Sequence, residues 1–400
     1  MDHIAVVGAG QAGATLCETL RRRGHAGRLT LWGDEPHPPY QRPPLSKGYL
    51  LGEMTRERLF LRPADFWDDL GVELHLGQRI DAIDPVARTL THAGGTEGWD
   101  ALALTTGAAP RRLPAAIGGD LAGVHTVRSL ADIDALAPDL HADGRLLVVG
   151  GGYIGLEAAA VARKRGAGVV LVEAAQRLLS RVACAETAAW FAALHRDRGV
   201  DLRLGATLQR LEGDGRVERA VLGDGTVLDV DAVVVGIGVT PETGLARAAG
   251  LTIDDGIAVD ALGRSSADGI WAAGDCCSFP WGDGRLRLES VGNAIDMAEA
   301  VGANVMGAAT PYAPKPWFWS DQYDVKLQIA GLGNGHDRVV VRRDGAGLSH
   351  WYYAGDRLLA VDAMNDPRAY MVGKRLIEAG RSADPAQVAD PAVPPKALMA

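Results

Sequence analysis

Two stretches of this chain have residues spaced to hold a diphosphate. The first is Gly8-Ala9-Gly10-Gln11-Ala12-Gly13, and the second is Gly150-Gly151-Gly152-Tyr153-Ile154-Gly155. In a GxGxxG run the first glycine permits a tight strand-to-helix bend and the second lets a pyrophosphate approach the backbone. The third lets helix and strand pack closely. The anion then rests on unpaired N–H groups at the helix N-terminus. A lone motif says little, so its context decides. Each motif here follows an apolar run, Ile4-Ala5-Val6-Val7 or Leu146-Leu147-Val148-Val149. Each is followed by a helical stretch, to Gly24 or Gly166, and then by a second apolar strand, Leu29 to Trp32 or Val169 to Glu173. Two βαβ units of this kind predict two dinucleotide sites in one chain.

The acids after these motifs refine the chemistry. Glu173 ends the second unit's second strand, 18 residues past Gly155. A carboxylate there takes hydrogen bonds from ribose hydroxyls and repels a 2′-phosphate, which favours NADH over NADPH. Arg177, close by, leaves some NADPH use open; a solvated strand-end acid is the plain alternative for Glu173. In the first unit the strand ends at Gly33 and the acids come just after it, so Asp34 is taken for the ribose. Glu157 lies near the start of the second motif's helix. Beside an anionic ligand a carboxylate raises the energy of the site, and an ammonium partner would offset this.

The elements that must position these residues need a long chain. At roughly 150 residues per domain, 400 residues make about two to three domains. With 41 Lys and Arg against 50 Asp and Glu the net charge is −9, which argues against nucleic acid or an anionic membrane as partner. Four cysteines (Cys17, Cys184, Cys276, Cys277) are too scattered for a disulfide framework or a metal site. No apolar run reaches the ~20 residues of a spanning helix, and no cleavage signature follows Met1. A cytoplasmic protein is expected. Residues 317–363 alternate as strands, with a hairpin turn at Ala354-Gly355-Asp356-Arg357 and a helix from about Ala369 to Ala379. The Pro/Ala-rich stretch from Asp384 to Ala400 reads as a loosely packed tail. The fold class is α/β, two Rossmann-like dinucleotide-binding domains followed by a C-terminal α+β domain.

Four stretches carry a resemblance across essentially the whole chain: Tyr40-Gln41-Arg42-Pro43-Pro44-Leu45-Ser46-Lys47, Gly150 to Glu157, Ala272-Ala273-Gly274-Asp275, and Trp317-Phe318-Trp319-Ser320-Asp321-Gln322. On these the chain resembles the FAD-dependent, NADH-linked ferredoxin (redoxin) reductases of bacterial P450 and Rieske-type oxygenase systems, which are glutathione reductase-like flavoproteins. The resemblance implies a discontinuous FAD domain (1–110 and 236–312), an inserted NAD domain (111–235) and a C-terminal domain (313–400). It puts FAD in the first unit, non-covalently, and NADH in the second. Asp275 then meets the flavin ribityl hydroxyls, and Ala12, Ile80, Arg128 and Val291 line the FAD site. Core packing is the other reading for Ile80 and Val291, and a surface charge for Arg128. Thr106, Gly107 and Gly238 join the glycine-motif residues as cofactor contacts, and Arg42 would lie along the FAD pyrophosphate, where a planar cation suits phosphate oxygens.

In such reductases the residues matching Lys47 and Glu157 meet near flavin N5, and Tyr153 covers the flavin face that the nicotinamide must take. Trp319 would stack near the ring and shield it or couple it to an acceptor, with a core tryptophan as the alternative. Related disulfide reductases carry a redox cysteine pair where this chain has Pro43-Pro44-Leu45-Ser46-Lys47, so disulfide reduction is not expected. Cys276 and Cys277 read as buried free thiols in preference to a vicinal disulfide. The implied partner is a small [2Fe-2S] ferredoxin, the chain itself being a monomer or weak homodimer. Residues 313–400 carry 11 Lys and Arg and 10 Asp and Glu, net +1, leaving −10 on residues 1–312. Arg342-Arg343, Arg368 and Lys374-Arg375 are candidates for a docking rim. Other acceptors (oxygen, a quinone, monodehydroascorbate) and a slow redox sensor are the rival functions.

Overall fold

The apolar runs before the two glycine loops each become the central strand of a five-stranded parallel sheet. The computed structural model describes residues 1–399. Strand His3–Val7 lies between Arg28–Trp32 and Ala101–Leu104, with Glu73–His75 and Ile270–Ala272 at the edges. Strand Arg145–Val149 lies between Gly168–Glu173 and Ala232–Val235, with Val200–Leu204 and Val124–His125 outside them. Both central strands are almost wholly buried, because a parallel sheet is covered on both faces. In each sheet the chain runs one way from the central strand through the βαβ crossover and later returns on its other side. That reversal opens a crevice beyond the strands' carboxyl ends, the place where open α/β sheets bind ligands.

The chain packs as two compact units. One comprises Met1–Gln41, Thr55–Ala109 and Val239–Pro316; the other comprises Arg42–Met54, Pro110–Gly238 and the chain from Trp317 on. Strand Ala232–Val235 belongs to the second unit's sheet, and the first unit resumes at Val239. The units break at 109/110, 238/239 and 316/317, within a few residues of the positions read from sequence, and residues 42–54 and the C-terminal sheet group with the second nucleotide fold.

The C-terminal sheet is antiparallel, in the order Trp317–Gln322, Val325–Gly331, Arg357–Met364, Gly347–Ala354, Arg338–Asp344. Ala354 pairs with Arg357 across a two-residue turn in which Gly355 takes a positive φ. Helix Pro367–Glu378 covers one face, capped by Asp366, whose carboxylate accepts from Ala369 N–H. The last residues correct the sequence reading of a loose tail. Val388 and Leu398 are buried in the same core as Trp351 and Tyr353. Arg342 is 1 % exposed and donates to the carbonyl oxygens of Val388, Asp390 and Val393. Proline removes N–H donors from this segment, so its carbonyls find a guanidinium instead. Arg342 is therefore not on a docking rim; Arg343, Arg368 and Arg375 are exposed, and Lys374 is half-buried over the Trp317 ring.

A buried polar cluster joins helix Ala185–Asp197 to this sheet. Thr187 Oγ1 donates to Asp362 Oδ2 (2.8 Å) and lies 2.7 Å from His350 Nδ1, and the Tyr352 hydroxyl donates to the same carboxylate oxygen. Cys184, the helix N-cap, donates its N–H to Tyr352. All four cysteines are buried free thiols, Cys276 and Cys277 among them. Among the described residues no helix is long and apolar enough to cross a membrane, and no group of three metal-ligating side chains occurs.

Burial raises Asp362 from 3.8 to about 6, with Tyr352 and Thr187 pulling the other way. Between those values the folded chain binds more protons here than the unfolded chain, so this group's contribution to stability falls as pH rises from about 4 to 6. Asp362→Asn removes that dependence. The stability difference, wild type minus variant, should decline across this window by on the order of 3 kcal/mol and level off above pH 7, as read by urea unfolding at each pH.

Candidate active site

Backbone crowding dictates the two glycine loops. At Gly8, with φ +118°, an added Cβ would lie 2.2 Å from the carbonyl oxygen of Thr105; at Gly13 it would lie 2.1 Å from that of Gly8. The second loop repeats this: a Cβ at Gly150 (φ +105°) would lie 2.4 Å from Gly236 O, and at Gly155 2.1 Å from Gly150 O. The middle glycines differ. A Cβ at Gly10 would meet nothing within 4 Å, and one at Gly152 only Gly236 O at 3.9 Å. So the outer glycines let helix, strand and neighbouring strand end touch, and the middle ones face open space at a helix N-terminus. Neither Gly10 nor Gly152 supplies a side-chain cap to helices Gln11–Arg22 and Tyr153–Lys164. Their first N–H groups are thus available to an anion. Both loops fit a dinucleotide pyrophosphate.

Around the first loop, Gly274 sits close enough that its Cβ would be 3.1 Å from that of Ala12, bringing the Gly274-Asp275 turn over the helix N-terminus. Thr105 donates to Gly8 O, and Thr106 to Glu242 O (2.6 Å), with Gly107 at φ +71° beside it. Asp34 is exposed, whereas Glu35 is half-buried and accepts from the Tyr40 hydroxyl (2.6 Å). Ile80 is buried in its strand, and Val291 opens helix Val291–Val305.

Around the second loop, both carboxylate oxygens of Glu173 are fixed by backbone, Oε2 by Gly151 N–H and Oε1 by Ala175 N–H, each at 2.7 Å. The strand-end acid is thereby locked beside the loop. Arg177, which left NADPH open in the sequence, turns away: its guanidinium donates to Ser180 O and Ala183 O of its own loop. Ile154 is 41 % exposed on the first helical turn, and Gly238 takes φ +98°. Arg42 donates to the carbonyl of Arg128 (2.7 Å), tying those two segments together.

Within the second unit, the chemistry concentrates on Glu157. It is 2 % exposed, and its Oε2 accepts from Lys47 Nζ (2.7 Å) and from the Ser46 hydroxyl. Its Oε1 accepts from Ser320 Oγ (2.7 Å). A buried carboxylate needs such partners, and every bond here is accepted, the pattern of an ionised group. One turn earlier, Tyr153 packs against Phe318 with ring centroids 4.7 Å apart. Its hydroxyl is buried with no hydrogen-bond partner in the protein, and burial pushes its pKa well up. An orphaned buried hydroxyl is costly unless something not in the chain meets it. Trp319 lies on the other face of its strand, stacked on Trp317 at 5.4 Å.

These features have close counterparts. A model of pyridine nucleotide-disulphide oxidoreductases matches residues 2–298, and a model described as Reductase C-terminal matches residues 317–399. The chain belongs to the pyridine nucleotide-disulphide oxidoreductase family. It is 44 % identical to a ferredoxin–NAD(P)(+) reductase of Sphingomonas sp over 99 % of this chain and 97 % of that one. It is 39 % identical to the ferredoxin–NAD(+) reductase component of the p-cumate 2,3-dioxygenase system of Pseudomonas putida, over 98 % of each. A crystal structure of the covalent putidaredoxin reductase–putidaredoxin complex superimposes with a TM-score of 0.96 at 37 % identity, covering 100 % of this chain and 98 % of the other. The disulphide of the family's description has no counterpart at residues 43–47, where Ser46 and Lys47 instead bind Glu157.

Sequence reasoning left Ser46, Phe318, Ser320, Gln322 and His195 without a role. A signal for two of them was present: Ser320 and Gln322 are polar at alternate positions of an aromatic strand, a pattern that a buried strand face tolerates only with partners. Gly13→Ala should abolish retention of FAD, and Gly155→Ala should weaken NADH binding by at least about tenfold, because a 2.1 Å approach to backbone cannot relax. Flavin absorbance of the purified Gly13 variant and equilibrium NADH titration of the Gly155 variant check each expectation.

Proposed function

We propose that the protein oxidises NADH and passes the electrons through FAD to a [2Fe-2S] ferredoxin that supplies a P450 or Rieske-type oxygenase. The observation that carries this is the pair of glycine cradles, each with a middle glycine facing open space at the head of an uncapped helix. FAD, when bound, supplies the conversion of a two-electron hydride donor into single-electron steps, which no side chain can perform. The protein's part is placement and electrostatics.

We assign the first cradle and Asp275 to FAD, with Ala12, Asp34, Arg42, Lys47, Ile80, Thr106, Gly107, Arg128 and Val291 as its further contacts. The second cradle, Ile154, Glu173 and Gly238 take NADH. With Arg177 held by its own loop, the fixed Glu173 carboxylate favours an unphosphorylated ribose. Lys47, held by Glu157, presents positive charge where reduction adds negative charge to the cofactor. Tyr153, its hydroxyl unmet in the protein, acts as a cover that gives way to the nicotinamide. Trp319, on the outward face of its strand beside Trp317, serves the acceptor side. A cytoplasmic location fits four buried, reduced thiols.

Anaerobic stopped-flow tests the assignment: NADH should bleach the flavin, and a [2Fe-2S] ferredoxin should then be reduced. Loss of flavin reduction or of cluster reduction would discard it. Lys47→Met should slow flavin reduction by roughly tenfold or more while leaving FAD bound, since one preorganised charge is commonly worth that much. Steering by Arg343, Arg368 and Arg375 should make the second-order rate of ferredoxin reduction fall between 50 and about 500 mM salt. Single-turnover mixing across that range measures it.

A further inference from the structure

The Lys47–Glu157 pair is one end of a longer buried run. Ser320 and Gln322 stand two apart on strand Trp317–Gln322, so they share a face, and both are wholly buried. Gln322 Nε2 donates to Ser320 Oγ (3.1 Å), and Ser320 Oγ donates to Glu157 Oε1 (2.7 Å). Behind them His195, on helix Ala185–Asp197 and wholly buried, has Nε2 2.8 Å from Gln322 Oε1. The Tyr323 hydroxyl lies 3.3 Å from His195 Nδ1.

The donors can be assigned by elimination. Ser320 has a single hydrogen, which goes to the carboxylate, so Gln322 must turn its NH2 toward Ser320 and its carbonyl toward His195. A carbonyl only accepts, so the His195 proton is on Nε2. Burial lowers the pKa of His195, which leaves the ring neutral and Nδ1 an acceptor for Tyr323. Every bond in the run, from Tyr323 to His195, Gln322, Ser320 and Glu157, therefore donates in the same direction. Aligned bonds polarise one another and strengthen the last one. The amide of Gln322 neither gains nor loses a proton near neutrality, so the run orients and does not conduct.

We propose that Ser320, Gln322 and His195 are positioning residues for the Lys47–Glu157 pair. They hold the carboxylate in one orientation, and it in turn holds the flexible Lys47 ammonium toward the bound flavin. Four stretches far apart in sequence are needed to do this (segment 42–54, helices Tyr153–Lys164 and Ala185–Asp197, and strand Trp317–Gln322), which gives the C-terminal sheet a part in the electrostatics of the site. The inference rests on the reading of Lys47 given above.

The test uses the FAD-loaded full chain with Ser320→Ala, Gln322→Met, Ser320→Thr and Lys47→Met. Ser320→Ala and Gln322→Met cut the same run independently, so one folded variant suffices. Each should shift the flavin midpoint potential to a more negative value and slow anaerobic reduction by NADH about tenfold, with NADH affinity within about twofold of wild type. Ser320→Thr, which keeps the hydroxyl, should restore both. Wild-type potential and rate in Ser320→Ala and Gln322→Met, alongside a slow Lys47→Met, would overturn this inference alone. A wild-type Lys47→Met would overturn the reading of Lys47 and the inference with it.

Discussion

Close approach of backbone to backbone is the constraint on which the rest of this structure depends. In both nucleotide folds the helix after the central strand touches the loop before it at a glycine, and the loop's first glycine touches the end of the next strand. Only residues without a Cβ allow that geometry, and the geometry leaves a row of N–H groups facing outward at the head of a helix. The shape of both cradles follows from this steric contact. The same contact occurs twice with nearly the same distances, which is why one chain can carry a donor dinucleotide and an acceptor one.

The second organising feature is a buried negative charge. Glu157 lies on the helix whose N-terminus forms the second cradle, yet it points into the protein and not at solvent. Such a group destabilises the fold unless its hydrogen bonds are met, and removing a partner from it costs more than the pair contributes. Segment 42–54 supplies two of those partners and the C-terminal sheet a third. The need to satisfy one carboxylate thus helps explain why stretches distant in sequence pack into the same unit. The cluster around Asp362 does similar work further out, fastening helix Ala185–Asp197 to that sheet.

The parts legible in the sequence share a physical character. Strands beside the glycine loops, the Gly355-Asp356 turn and the helix that follows the last strand are local: periodicity or a φ requirement specifies them within a few positions. The tail after Asp384 was misread because its composition describes an unpaired segment, while its order comes from Arg342, more than forty positions away. For the same reason Arg342, placed on a docking rim by its neighbour Arg343, is in fact interior. Strand alternation turns one of two adjacent arginines inward, and charge alone does not say which.

The amino-acid order by itself determined two dinucleotide folds, the acid that ends the second one's strand, and the need of Glu157 for a cationic partner, because glycine spacing and like-charge repulsion are properties of short segments. Only the tertiary structure decided who surrounds that carboxylate, which unit each segment joins, and where Arg177 and Arg342 point. Most of those outcomes depend on meeting buried polar groups from afar: Lys47 and Ser320 are 110 and 163 positions from Glu157, and such partners leave no mark in local spacing.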